Sequence, residues 1–437
     1  MPDSDLRPLE RALEAWATGA YEEGLRWAVP ALAAQPDNPA ALLTTVYLAH
    51  KAGGDSGGLS AFEAAAARAI DAGNLPLATA SAALANELGF DADPIYELVA
   101  SAFARSSPRL KHRAPPAFPA PGPEVKPIAV SVKSAELLEQ AKQASATALE
   151  GITRADGPLP AAPLFSSLER EPLKAFLRIF EVTLCARGKA VLEEGSVGSE
   201  AYVVVRGELE VTKKATGSSS AIQLARLGGG ALVGEMALLS RAPRAATVSA
   251  CRPTMLLVAN KQGLDGAVRA SPDLGREFAE HCRRRMLDNL VKTSSMLRSV
   301  NPAERADLVQ RFAIRAFEPG QALVSQGKPS EGLFLLASGQ VSIVYQDAGG
   351  ESTVVAQLGP GEVLGEVAVV LRRPAIADAV AHHPTVTLFL PRERFLETMR
   401  AHPKVLVDLY ELAVRRDEET ATAALSEAAP MDDSILV

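Results

Sequence analysis

The chain has 437 residues, of which 47% are hydrophobic and 22% charged; that is more than one core usually serves, so two to four globular domains are expected. A formal net charge of −7 argues against a nucleic-acid grip, which needs a basic face. Cys185, Cys251 and Cys282 are far apart and form no CxxC pair, so they are expected to be buried small hydrophobes in a reducing compartment, not ligands or nucleophiles.

The opening "MPDSDLRPLE" has no apolar secretory core, and no uncharged apolar run reaches membrane-spanning length. A soluble, cytoplasmic protein without a membrane span is therefore expected. Residues 1–105 read as helices, with alanine and leucine recurring at three- and four-residue steps. In "GAYEEGLRWAVPALAAQPDNPAALLTTVYLA" Gly19 is expected to let two helices pack closely. Tyr21, Leu25 and Trp27 start one helix, and Pro36-Asp37-Asn38-Pro39 ends it and starts the next. A fainter echo follows, with Gly73 in the place of Gly19 and Asp93-Pro94 in the place of the turn. This order resembles tetratricopeptide repeats, which implies a groove for a partner segment; an unclassified helical bundle is the other reading.

Residues 106–133 form a linker. Its stretch 106–127 holds seven prolines and no apolar period, so a solvated, semi-extended tether is expected, with Lys111, His112 and Arg113 as part of it. Residues 134–162 hold one short polar helix, with Ser134 as its N-cap, and a further connection.

From residue 163 the texture changes to short β-rich runs between glycine turns, and the chain repeats itself. "EEGSVGSEAYVVVRGELEV" pairs with "SQGKPSEGLFLLASGQVSI"; Gly195 maps to Gly327 and Gly207 to Gly339 at an offset of 132, Gly228 to Gly359 and Glu235 to Glu366 at 131. A hairpin loop between them absorbs the slip. Two copies of one module are expected, over 163–293 and 294–425, followed by a tail over 426–437. The closing helix of the first copy is read over residues 272–297.

The stretch "GEMALLSRAPRAATV" holds the chemistry. Gly234 lets the backbone approach a ligand. "EMALLS" starts a short helix whose first amides are unpaired and favour an anion. Arg244, nine residues after Glu235, adds an always-charged clamp behind Pro243. Glu235 repels anions and needs a hydroxyl donor. A ribose bearing a cyclic phosphate satisfies both demands, and Ala245 and Ala246 leave room for it. Arg241 reads as a solvated loop residue.

This order of residues, with Gly195, Gly198, Tyr202 and Gly207 upstream, resembles the phosphate-binding cassette of cyclic-nucleotide-binding domains, especially those of the regulatory subunit of the cAMP-dependent kinase. The resemblance implies an eight-stranded β jelly-roll barrel with flanking helices for each copy, so that with the N-terminal all-α helical repeat a multidomain protein is expected. It implies that Glu235 accepts from the ribose 2′-hydroxyl, that Arg244 holds the phosphate, and that the amides of Met236, Ala237 and Ala245 assist. Gly234 and Thr247 complete the candidate ligand site. Ala245, where guanine binders of the family carry serine or threonine, implies cAMP in preference to cGMP.

The second copy keeps Gly365 and Glu366, but Ala375 stands where the arginine was and Asp378 where Thr247 was. A methyl cannot clamp a phosphate and a carboxylate repels one, so this degenerate site is expected to be structural or dimerising, without compensation from Arg372 or Arg373. In the closing helix of the first copy, Arg283, Arg284 and Arg285 form a charged face opposite Phe278, Met286, Leu287 and Leu290.

No kinase, P-loop, HExxH or helix-turn-helix signature is present, and His382-His383 reads as a surface pair, so no metal is expected. A non-enzymatic cyclic-nucleotide receptor is expected. Its ligand is cAMP or cGMP, its output is a protein partner on the N-terminal helices, and a homodimer is possible on the same reading. The tail "MDDSILV" reads as an unstructured end, with docking of its apolar residues in a partner groove as the other reading. A nucleotide-independent scaffold is the alternative. A regulatory subunit inhibiting an enzyme in trans would need a substrate-like basic segment, for which "KHRAPP" is poor.

Overall fold

A computed structural model describes residues 6–54, 57–111, 124–150, 157–214, 221–240, 243–298, 300–301, 304–305, 308, 311–347 and 349–427. The chain forms two compact units, residues 1–239 with 246–281, and residues 240–245 with 282–437.

The first unit begins with helices α1 (Pro8–Ala17), α2 (Tyr21–Ala34), α3 (Pro39–Lys51), α4 (Gly58–Asp71), α5 (Leu75–Glu87) and α6 (Asp93–Phe103). Proline stands in the first turn of α1, α3, α5 and α6, where its missing N–H removes no helical bond. Asn38 caps α3 by accepting from the amides of Ala40 and Ala41 at 3.1 and 3.2 Å. Each helix packs on its sequence neighbour. Trp16 stacks on Tyr47 with ring centroids 4.3 Å apart, and the Tyr47 hydroxyl donates to Glu87 at 2.7 Å.

Gly19 does not do the job expected of it. Its φ is 78° and nothing lies within 4 Å of where a Cβ would be, so it makes a turn. The close crossing is at Gly24, whose Cβ would lie 2.9 Å from the Leu48 side chain. Gly73 is also left-handed, at φ 69°, and faces Pro160.

Helix α7 (Ser134–Leu149) packs on α2 and α3. Ser134 is its first helical residue; the extended residue before it is Lys133, and no side chain caps the end. Nor is the helix polar throughout, since Leu137, Ala141, Ser145 and Ala148 are buried. Leu138 reaches Gly54, where a Cβ would sit 2.8 Å away. Arg26 donates to the carbonyls of Ala129 and Val132, and Arg68 to that of Ala148. The proline-rich connection is pinned at both ends. Strand β1 (Leu110–Lys111) pairs in parallel with β2 (Leu159–Pro160), and the Ile128 amide donates to Arg26 O at 2.9 Å. His112, Arg113 and the rest of 112–123 lie outside the described residues.

The first module follows: α8 (Arg170–Leu177), β3 (Glu181–Cys185), β4 (Ala190–Leu192), β5 (Glu200–Arg206), β6 (Leu209–Lys214), β7 (Ala221–Leu227), β8 (Leu232–Val233), α9 (Met236–Ser240), β9 (Thr247–Ala250), β10 (Thr254–Asn260), α10 (Lys261–Ala270), α11 (Pro272–Thr293) and α12 (Ser295–Arg298). Its eight strands make two four-stranded sheets, β3-β10-β5-β8 and β4-β9-β6-β7, the eight-stranded jelly roll expected, with sheets that face each other and do not close into a barrel. Leu192, Val204, Leu209, Val233, Val248 and Leu256 fill the space between them. The helix expected over 272–297 is broken at Ser294, whose hydroxyl accepts from the Leu297 amide at 3.5 Å and so competes with the helical ladder.

The N-terminal helices are not a free module on a tether. Helices α1 and α5 lie on β3, and α6 lies on α8. Lys174 reaches Asp93 at 3.0 Å and Glu97 at 3.3 Å, with Arg170 and Arg178 on the same two carboxylates. Arg252 bridges to Glu10 at 3.0 Å, and Arg105 to Glu169 at 2.9 Å. The Lys174 hydrogen bond holds the Asp93 carboxyl below its usual range, against desolvation and with help from Arg178.

The second module has β11 (Ala313–Phe317), β12 (Ala322–Val324), β13 (Gly332–Ser338), β14 (Val341–Gln346), β15 (Ser352–Leu358), β16 (Val363–Leu364), α13 (Glu366–Val370), β17 (Asp378–Ala381), β18 (Thr385–Pro391), α14 (Arg392–Ala401) and α15 (Pro403–Glu427). Its sheets run β11-β18-β13-β16 and β12-β17-β14-β15, the order of the first module with every strand advanced by eight. No helix among the described residues is long and apolar enough to cross a membrane. The tail after residue 427 lies outside the described residues.

Candidate functional site

In each module the glycine that ends the short strand before the cassette turns left-handed, Gly234 at φ 78° and Gly365 at φ 81°. At Gly365 a Cβ would lie 2.6 Å from the Gly332 carbonyl oxygen. Only glycine fits both that conformation and that space. The turn delivers an acid into the protein: Glu235 is 4% exposed and Glu366 is 2% exposed. A carboxylate is rarely so deep unless paired or hydrogen-bonded, so both positions are built for polar contacts.

Beyond Glu235 the chain makes α9. The Ala237 amide turns onto Gly234 O at 3.2 Å and the Leu238 amide onto Glu235 O at 3.1 Å; of the expected anion-binding amides, that of Ala237 is thus engaged in the turn. Ala237 is buried, Met236 is half-buried and Ala245 is exposed. Arg244 is 7% exposed. It belongs to the second compact unit and Glu235 to the first. Arg241 lies outside the described residues. Thr247 opens β9, and its hydroxyl accepts from the Glu194 amide at 3.0 Å, bracing the turn after β4.

The second module differs in a way the sequence reading missed. Ala375 is buried, with its amide on Lys328 O at 2.9 Å. The cation facing Glu366 comes from α15: Arg416 donates to Glu366 Oε1 at 2.9 Å, to Glu362 at 3.4 Å and to the Val363 carbonyl. The repeat carried the signal, since the 131-residue offset that relates Glu235 to Glu366 also relates Arg285 to Arg416. Arg372 is exposed with φ 54°, and Arg373 is ion-paired with Asp417. Asp378, expected to repel a phosphate, accepts from the Gln326 amide at 2.7 Å, the same structural task as Thr247. Beneath these groups is a cavity of about 130 Å³ with apolar walls that include Val324, Ile343, Leu364 and Ala375. Among the described residues no group of three or more His, Cys, Asp or Glu is placed to hold a metal ion.

Two sandwiches of one topology, each with a left-handed glycine and a buried glutamate ahead of a short helix, define the class. A family model described as "Cyclic nucleotide-binding domain" matches residues 183–271 and 314–402, and the chain carries two such domains in tandem. It is 30% identical over 223 residues to "cAMP-dependent protein kinase regulatory subunit" of Yarrowia lipolytica, covering 50% of this chain and 54% of that protein. It is 28% identical over 236 residues to the protein so described from Dictyostelium discoideum, covering 53% and 69%. The chain thus spans about half the length of the Yarrowia protein. A solved structure, the regulatory domain of Toxoplasma gondii PKA with cAMP, aligns at 25% identity over 58% of this chain and 92% of that one, with a TM-score of 0.29.

Proposed function

We propose that the first module binds a cyclic nucleotide, cAMP in preference to cGMP, and that the protein is a non-enzymatic regulator that passes this binding to a protein partner through helices α1–α6. Glu235 accepts from the ribose 2′-hydroxyl, and Arg244 neutralises the cyclic phosphate with help from the Met236 and Ala245 amides. The observation that carries the reading is the left-handed Gly234, which delivers Glu235, 4% exposed, ahead of the short helix α9 within the matched segment 183–271. A protein interior holds such a charge only where polar contacts stabilise it. The relatives' description makes a protein kinase the first partner to test.

Titration calorimetry tests the reading on the full chain with cAMP and cGMP. The wild type should bind, with cAMP tighter. Arg244→Ala should lose about a hundredfold or more in affinity, since a charged hydrogen-bonded contact in a dry pocket is worth a few kcal/mol. No heat from the wild type with either nucleotide would return the protein to the scaffold class.

A further inference from the structure

The cassette of the second module is gripped at both ends by adjacent residues of one helix. Arg416 of α15 reaches the start of the segment through Glu362, the Val363 carbonyl and Glu366. Asp417, the next residue, pairs with Arg373 near the segment's end. The signs are reciprocal: the helix presents plus then minus, the segment minus then plus. Glu366 is 2% exposed, so its charge cannot be handed to solvent without moving the segment. Glu419 and Thr420 of the same helix line the cavity beside Ala375, and Leu409 and Ala413 bury the turns before them.

We infer that Arg416 and Asp417 form an internal clasp that holds α15 over the second-module cavity without any nucleotide, so that this module is a constitutively closed copy of the fold. Position 375 holds alanine where the first module has Arg244, and the cation here is Arg416, which spends its hydrogen bonds on the protein's own acids and one carbonyl. The acid that resemblance assigns to a sugar hydroxyl serves here as the catch for a helix. Breaking one partner of such a buried pair leaves the other charge uncompensated, so the clasp should fail as a unit. This inference concerns residues 362–420 and stands whether or not the first module binds nucleotide.

Hydrogen exchange on the full chain, stripped of nucleotide by unfolding and refolding, reads the clasp directly. In the wild type, amides of residues 403–420 should be protected. Arg416→Gln and Glu366→Gln should each speed their exchange by about tenfold or more while β13 and β18 keep their protection. The double variant should add little, because both changes open the same contact. Should Arg416→Gln also loosen the sheets, Arg416→Lys, which keeps the charge but gathers its donors on one nitrogen and loses the planar fork, supplies the comparison. Fast exchange over 403–420 in the stripped wild type, or unchanged exchange in both the Gln and Lys variants, would overturn the clasp.

Discussion

Thr247 and Asp378 stand at matching points of the two modules and do one job: each accepts a hydrogen bond from the backbone amide that follows the second strand, Glu194 at 3.0 Å and Gln326 at 2.7 Å. A hydroxyl and a carboxylate are interchangeable here because the demand is one acceptor atom. Asp378→Thr should therefore leave stability within about 1 kcal/mol of wild type, whereas Thr247→Val should cost about 1–3 kcal/mol by stranding the Glu194 amide. Denaturant melts of the two variants give both numbers; equal costs would contradict the shared role.

The turn glycines divide into two kinds. Gly207 has φ 107° and its Cβ would lie 2.4 Å from Thr254 Oγ1, while Gly195 has φ 80° with open space around it. Gly195→Ala should cost only the conformational strain, about 1–2 kcal/mol. Gly207→Ala adds a collision with a strand and should cost clearly more. The difference between the two midpoints in urea is the test.

The helical region should loosen from the first module in acid. The Asp93 carboxyl is held low chiefly by Lys174; for Glu97, desolvation opposes the shift, and hydrogen bonds from Ser101, Lys174 and Arg170 outweigh it. Both folded values lie below the unfolded ones, so their contribution is present above the ordinary carboxylate range and is lost as pH falls through the lowered values. Lys174→Met should lower the melting temperature at pH 7 and lower it less near pH 3. An equal loss at both pH values would assign Lys174 a packing role alone.

Ala375→Arg should not create a nucleotide site. Ala375 is 8% exposed and lines the cavity that Arg416 also lines, so a second guanidinium meets like charge and largely apolar walls that offer it no free acceptor. The expected result is a loss of about 1–3 kcal/mol in stability with no nucleotide heat assignable to the second module in an Arg244→Ala background. Tight cAMP binding by that double variant would contradict it.

Much of this was legible in the chain. The 131–132 residue offset gave two modules, and the glycine–glutamate pair gave the cassette, because positive φ and a buried acid each restrict the residue type severely. Side-chain destinations were less legible. Asp378 reads as a repulsive charge until its acceptor role is seen, since residue type does not say which way a carboxylate faces. Arg416 lies 50 residues beyond Glu366, so no local pattern links them, and only the long repeat that pairs Arg416 with Arg285 marks it. Gly19 and Gly24 show the same limit: either could serve a helix crossing, and only the packing of Leu48 decides between them. The clustering of Asp93 and Glu97 with Arg170, Lys174 and Arg178 depends on docking, which local periodicity does not report.

The proline-rich stretch is flanked by anchors on both sides, Leu110 against Leu159 before it and Ile128 on Arg26 after it. Its covalent continuity is therefore redundant with the contacts around it. A protease that severs the chain between residues 112 and 123 should yield two fragments that migrate as one particle on a sizing column and part only in denaturant. The peptide bonds there set the local concentration at which the two pieces first meet; once they have met, the fold keeps them together.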